Sequence, residues 1–320
     1  MRIVFLGGTG AIGAATAPLA AAAGDDLLVA HSGAWEGPAD LAATHLHGTR
    51  DELLAPGGPV EQSAPDVLVD SFFASPAPGA TAAKGEQLLR FAARTGVRRV
   101  VAISSTDIYR AGIEAGLNGG YGLTLLPSDP LPLTEDSALR EPDPVQDEHD
   151  NVRMERALRA TPFDGALTIL RLGMVYGPFP HAREAELVAR VKRGERRLEL
   201  PGRGAQFFAR VADERVGRAV HAATRREQPG VFVCNVVDPY GWTYAGLAAE
   251  VGRILDWRWE PVEVPFDPLA DPPAHGFALA SPCLFDDRRL REELGVPPDA
   301  PDPREALERL VRWLWEHLPE

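Results

Sequence analysis

Arg2-Ile3-Val4-Phe5-Leu6-Gly7-Gly8-Thr9-Gly10-Ala11-Ile12-Gly13-Ala14-Ala15 is the stretch whose reading decides the fold. Ile3 to Leu6 is a short apolar run of β-formers, the composition of a strand buried on both faces. Glycines follow at positions 7, 10 and 13, and the alanine-rich run from Ala14 to Ala23 reads as a helix. The spacing has physical reasons. Gly7 supplies a tight turn off the strand, Gly10 has no Cβ to keep a pyrophosphate from the backbone, and Gly13 permits close helix packing. The N-terminus of the helix then offers unpaired N–H groups to an anion. Strand, glycine turn and helix together point to a dinucleotide phosphate cradle built from Gly7, Thr9, Gly10, Ala11, Ile12 and Gly13.

The rest of the chain is compatible with that opening. It has 320 residues, enough for one large α/β domain with an appended lobe or for two domains, and its 45% hydrophobic and 25% charged residues are ordinary for a soluble globular protein. A formal charge of −13 argues against nucleic-acid or acidic-membrane partners, which require a basic surface. Two cysteines, Cys234 and Cys283, form no disulfide framework or metal motif. With no leader ahead of the first strand and no apolar run of membrane-spanning length, a cytoplasmic location is expected.

Outward from the glycine turn, strands and helices alternate. Leu27–His31, Ala43–His47, Asp66–Asp70 and Arg98–Ser105 read as strands and Ala82–Arg94 as an amphipathic helix, which predicts a doubly wound parallel sheet. The end of the second strand faces the adenosine end of a bound dinucleotide. A carboxylate there suits a ribose 2′-OH and a basic residue suits a 2′-phosphate. His31-Ser32 stands there instead, which leans slightly toward NADP. His45 and His47 share a strand face; a metal site needs a third ligand, so they read as ordinary strand polarity. The fourth strand runs into Ser71-Phe72, where the nicotinamide-side loop is expected. Residues 110–144 are rich in Gly and Pro and read as a long functional loop, with Tyr121 at a glycine-flanked tip.

Four segments carry a resemblance to a known family. The glycine turn, Ser104-Ser105-Thr106-Asp107-Ile108-Tyr109, Pro132-Leu133-Thr134-Glu135-Asp136-Ser137 and Arg171-Leu172-Gly173-Met174-Val175-Tyr176-Gly177-Pro178 resemble the extended short-chain dehydrogenase/reductases of the NAD(P)-dependent epimerase/dehydratase kind. The resemblance implies a Rossmann-type dinucleotide-binding domain over residues 1–178, with late strands returning at about 205–240. It implies a smaller α+β substrate lobe over 179–320. It also implies NAD(P), a small polar substrate such as a sugar nucleotide, and a homodimer paired through helices. On this register Ser105 takes the place of the family's substrate-binding hydroxyl. Asp107 falls where dehydratases of the family carry an acid; its plainer reading is a turn or N-cap residue.

The family's Tyr-x-x-x-Lys pair, which shares one helix face and exchanges a proton with substrate, is missing. The helix start reads His149-Asp150-Asn151-Val152-Arg153. His149 replaces the Tyr, with Asn151 or Arg153 in place of the Lys. A histidine moves protons near neutral pH without a lysine, so His149 is the third candidate catalytic residue beside Ser105 and Asp107; its plainer reading is a surface histidine. The activity expected first is an NAD(P)-dependent oxidoreductase or epimerase. A non-redox lyase, isomerase or cyclase using Asp107 and His149 is the alternative, and a non-catalytic dinucleotide-binding protein the second alternative. Further on, Arg203 and Arg210 could together hold an anionic group, and Asp213 reads as a helix cap. In the closing helix Leu307, Leu310, Val311, Leu314 and Leu318 share a face, with Trp313 and Trp315 as packing residues.

Overall fold

The computed structural model describes residues 1–71, 79–111, 129–142, 149–179, 182, 184–207, 209–265 and 284–319. Its centre is a seven-stranded, wholly parallel sheet. The strands are β1 (Arg2–Leu6), β2 (Asp26–His31), β3 (Thr44–His47), β4 (Val67–Asp70), β5 (Arg99–Ser105), β6 (Ala166–Leu172) and β10 (Gly230–Val236), in the spatial order β10-β6-β5-β4-β1-β2-β3. The order reverses at β1, so β1 and β4 flank the switch point where the carboxyl ends of open α/β sheets bind ligands. This is the expected Rossmann-type doubly wound sheet.

The alternation of strand side chains builds two cores from one sheet. Ile3 and Phe5 face α1 (Ala11–Ala22) and α7 (Asp213–Ala223), along with Val216, Val220 and Val236. Val4 and Leu6 face the other way, onto α4 (Ala82–Thr95) and α5 (Asn151–Ala160) through Leu88, Leu89, Met154 and Leu158. Two short helices missed in the sequence, α2 (Arg50–Leu54) and α3 (Pro59–Gln62), add Leu53, Leu54 and Val60 to this second core. On the first face α1 and α7 approach closely: a Cβ on Gly217 would lie 2.4 Å from the Ala15 carbonyl oxygen.

A third core lies beyond the sheet. It joins α6 (Ala185–Lys192), α8 (Tyr244–Ile254) and α10 (Pro303–His317) to Tyr176 and Leu198. Leu307, Leu310, Val311 and Leu314 of α10 are buried as their spacing predicts, and Leu318 is partly buried. Trp313 packs on this core, but Trp315 is 42% exposed, with the Lys192 ammonium 5.5 Å from its ring centre. Two parallel strand pairs complete the region: β7 (Met174–Tyr176) with β9 (Arg210–Ala212), and β8 (Arg197–Pro201) with β11 (Glu260–Val264). The sequence reads residues 168–178 as one strand and its exit, but the chain changes partner at Gly173. The Gly173 N–H still bonds to the Val236 carbonyl of the large sheet, and the next N–H, of Met174, already bonds to Ala209. A short helix, α9 (Arg288–Glu292), packs Leu290 against the first core.

Asp213 is not an N-cap. Ala212 takes that position, and Asp213 opens α7 by accepting from the Glu214 N–H (2.9 Å) and from Arg309 of α10 (2.9 Å).

Candidate active site

The glycine turn has the geometry its spacing predicts. Gly7 sits at φ +76°, a conformation few residues other than glycine adopt. Among the described residues, a Cβ on Gly10 would meet nothing within 4 Å. A Cβ on Gly13 would lie 1.8 Å from the Gly8 carbonyl oxygen, so the close approach at Gly13 is to the turn itself. The first intrahelical bond runs from Ala14 N–H to Gly10 O (3.0 Å), leaving the N–H groups of Ala11, Ile12 and Gly13 ahead of it at the positive end of α1. No acidic residue lies in that first turn. This donor set fits a pyrophosphate.

At the end of β2 the ring of His31 is 8% exposed, and its two nitrogens have partners: Nε2 contacts His45 Nδ1 at 2.8 Å, and Nδ1 accepts the Gly33 N–H at 3.1 Å. Ser32 is exposed, its hydroxyl 3.4 Å from the Ala34 N–H. Phe72 and Tyr121 lie outside the described residues.

Two strands along, β5 ends in Ser104 and Ser105. Ser105 caps a 3₁₀ turn (Thr106–Ile108), accepting the Asp107 N–H at 3.2 Å, so Asp107 lies inside the turn. Asn151, the first residue of α5, donates to both Asp107 oxygens at 3.2 and 3.4 Å. Asp150 caps α5 through the Val152 N–H (2.9 Å) and is held by Arg140 (3.1 Å). His149 is exposed just before the cap, and its Nδ1 accepts the Ala80 N–H at 3.1 Å. It crowds residue 79, where a Cβ would come within 2.0 Å of that nitrogen.

The structure thus brings Ser105, Asp107, Asn151 and His149 together at the carboxyl end of the sheet. Asp107 has an exposed surface, yet the protein packed around it pushes its carboxyl above the ordinary range. Arg140, Asn151, His149 and Ser105 pull the other way. Arg153, the other lysine substitute, turns back toward Asp150 (3.5 Å).

Beneath this open group lies a buried one that the sequence reading missed. Arg171 and Glu155, each 1% exposed, pair at 2.8 and 3.1 Å. Ser104 donates to Glu155 (2.7 Å), Arg171 donates to the Tyr109 hydroxyl (2.9 Å), and Tyr109 donates to Asn235 (2.5 Å). Burial pushes the Tyr109 phenol up to about 12 despite its arginine neighbour. Tyr109 is therefore a structural anchor.

Arg203 and Arg210 do not act together. Arg210 is buried, paired with Glu184 and stacked 3.9 Å above the Tyr176 ring, while Arg203 is exposed and bonded to Glu263 (3.1 Å).

The fold places the chain among known structures. It superposes over its whole length on a UDP-glucose 4-epimerase from Thermotoga maritima, crystallised with UDP-glucose, with TM-score 0.69, 19% identity and 100% of both chains covered. The Bordetella bronchiseptica enzyme WbmG in complex with NAD matches with TM-score 0.70 and 17% identity over 99% of this chain and 94% of that one. MoeE5 in complex with UDP-glucuronic acid and NAD matches with TM-score 0.70 and 18% identity over 99% and 100%. At such identities the likeness establishes a shared fold. No protein-family pattern and no curated protein matches the sequence.

Proposed function

We propose that the protein is an NAD(P)-dependent enzyme of the epimerase/dehydratase kind, acting on a small polar metabolite, with nucleotide sugars the leading class. The observation that carries the reading is the meeting, along one carboxyl edge of the sheet, of an unobstructed glycine cradle and the Ser105–Asp107–Asn151–His149 group. The full-length likeness to structures bound to NAD and to UDP-sugars supports it.

The backbone of Gly7 to Gly13 would hold the pyrophosphate. When bound, the dinucleotide supplies a hydride acceptor and donor. The chain's own residues do the rest. Ser105 hydrogen-bonds a substrate oxygen. Asp107, its carboxyl raised by burial and steered by Asn151, receives a proton. His149 accepts the Ala80 N–H at Nδ1, which leaves the hydrogen of a neutral ring on Nε2 and makes that atom a donor to substrate. The lack of a carboxylate at the end of β2 supports NADP over NAD.

A non-redox lyase, isomerase or cyclase is the second reading. It is favoured by the absence of Tyr-x-x-x-Lys together with an Asp/His pair that moves protons without a hydride. One experiment separates the two. Purified protein is denatured and any released nucleotide identified, and native protein is then followed by NMR on a panel of nucleotide sugars with NAD or NADP. Bound dinucleotide with turnover that depends on it supports the first reading. Turnover indifferent to dinucleotide supports the second, and neither binding nor turnover overturns both.

A further inference from the structure

We propose that His31, His45, His47 and Glu36 form a binding site for one divalent transition-metal ion of the zinc class. The site shares His31 with the adenosine end of the proposed dinucleotide cradle, lies apart from Ser105 and Asp107, and does not depend on that reading.

The backbone alone brings three histidines together. In the parallel β2–β3 pair, His31 lies opposite His47 and Val29 opposite His45. Residues opposite one another or two apart share a sheet face, so all three imidazoles project from one face at the carboxyl ends of adjacent strands. The loop after β2 then carries Glu36 onto them. Glu36 reaches His45 Nδ1 at 3.0 Å, His47 Nε2 at 3.0 Å and His31 Nε2 at 3.6 Å. The four ligand atoms lie within 4.8 Å of one another. Zinc bonds of about 2.0–2.2 Å set tetrahedral ligands about 3.3–3.6 Å apart, so small side-chain adjustments bring the set to coordination distance.

Three imidazoles and one carboxylate select zinc and its neighbours over calcium or magnesium, which take all-oxygen shells. The site also has a way in. Side-chain exposure rises from 6% at His31 through 22% at His45 to 54% at His47 and 58% at Glu36. One bond must open. His31 Nδ1 accepts the Gly33 N–H, whereas coordination through Nε2 puts a hydrogen on Nδ1. Gly33 sits at φ +81°, and among the described residues only the His47 ring edge lies near its missing Cβ. The loop abuts the glycine turn as well: a Cβ on Gly37 would come within 2.9 Å of the Thr9 carbonyl oxygen. A metal on Glu36 would pin this loop to the sheet edge.

The test uses tag-free, full-length protein, dialysed against chelator and without added nucleotide. Zn²⁺ is titrated in competition with a chromophoric chelator, and Co²⁺ is followed by its visible bands. One ion per chain is expected, with intense tetrahedral cobalt bands. The double variant His45→Ala/His47→Ala should lose at least about 100-fold in affinity and Glu36→Gln about 10-fold, with far-UV circular dichroism unchanged. Wild-type affinity no tighter than that of the double variant overturns the proposal. So does a weak six-coordinate cobalt spectrum. If the double variant fails to fold, the wild-type stoichiometry and cobalt spectrum decide alone.

Discussion

Ser104 and Ser105 are neighbours on β5, yet they belong to opposite kinds of chemistry. Ser104 points inward to Glu155, in a buried network in which Arg171, Tyr109 and Asn235 are bonded to one another. Ser105 is half-buried and faces Asp107, Asn151 and His149 at the open edge. Helix α5 supplies a buried residue to each group one turn apart, Glu155 to the network and Asn151 to Asp107. The buried network ties the ends of β5, β6 and β10 into a platform whose charges are compensated. The open cluster sits on that platform. The two should therefore answer mutation differently, the first in stability and the second in rate.

The largest effect is expected below. Glu155→Ala leaves the Arg171 guanidinium buried without its carboxylate and should cost about 3–5 kcal/mol in chemical denaturation. A loss below about 1 kcal/mol would break the comparison.

Asp238 tests the same rule in a second buried site. It accepts from the Tyr176 hydroxyl (2.7 Å) and the Ala212 N–H (3.1 Å), and burial raises its carboxyl from 3.8 to about 6. Because the folded value is the higher one, its contribution to stability is fully present below pH 3.8 and is lost as pH rises through about 6. Relative to Asp238→Asn, the wild type should gain stability as pH falls from 7 to 4, by about 3 kcal/mol at most. Paired denaturation curves at several pH values check the sign, and a relative loss on acidification contradicts it.

In the open cluster, Asp107→Asn and His149→Ala should each lower kcat about 100-fold. The expected stability change for His149→Ala is only about 1 kcal/mol, from the lost bond to Ala80. Unchanged turnover on the true substrate would remove the residue from the mechanism.

The smallest effects sharpen the reading of the glycine turn. Gly13→Ala drives a methyl into the Gly8 carbonyl and should cost about 1–3 kcal/mol. Gly10→Ala points into open space and should change stability by under about 0.5 kcal/mol. Thermal melts of the two side by side check the contrast.

Where the signal was local, the sequence was enough. The burial of Ile3 to Leu6 on both faces of the sheet, the turn at Gly7 and the apolar face of the last helix each follow from residue type and period. What it could not supply depends on pairing between distant segments. Nothing local marks Glu155 and Arg171 as partners until the sheet superposes them. His45 and His47 lacked a third ligand in the sequence because His31 arrives through strand register and Glu36 through a loop. The chain's change of partner at Gly173 carries no mark besides a glycine. The pattern of HxH on one strand and His at the end of the preceding one was the signal available, and it needed the β2–β3 register to become legible.

The central claim is that the glycine turn and the open cluster form one dinucleotide-dependent site. Calorimetric titration of NAD(H) and NADP(H) into wild type and Gly10→Val tests it most directly. The account predicts one dinucleotide per chain for the wild type, tighter for NADP(H), and loss of binding in Gly10→Val with an unchanged melting temperature. No binding to the wild type, or equal binding to both proteins, would contradict it.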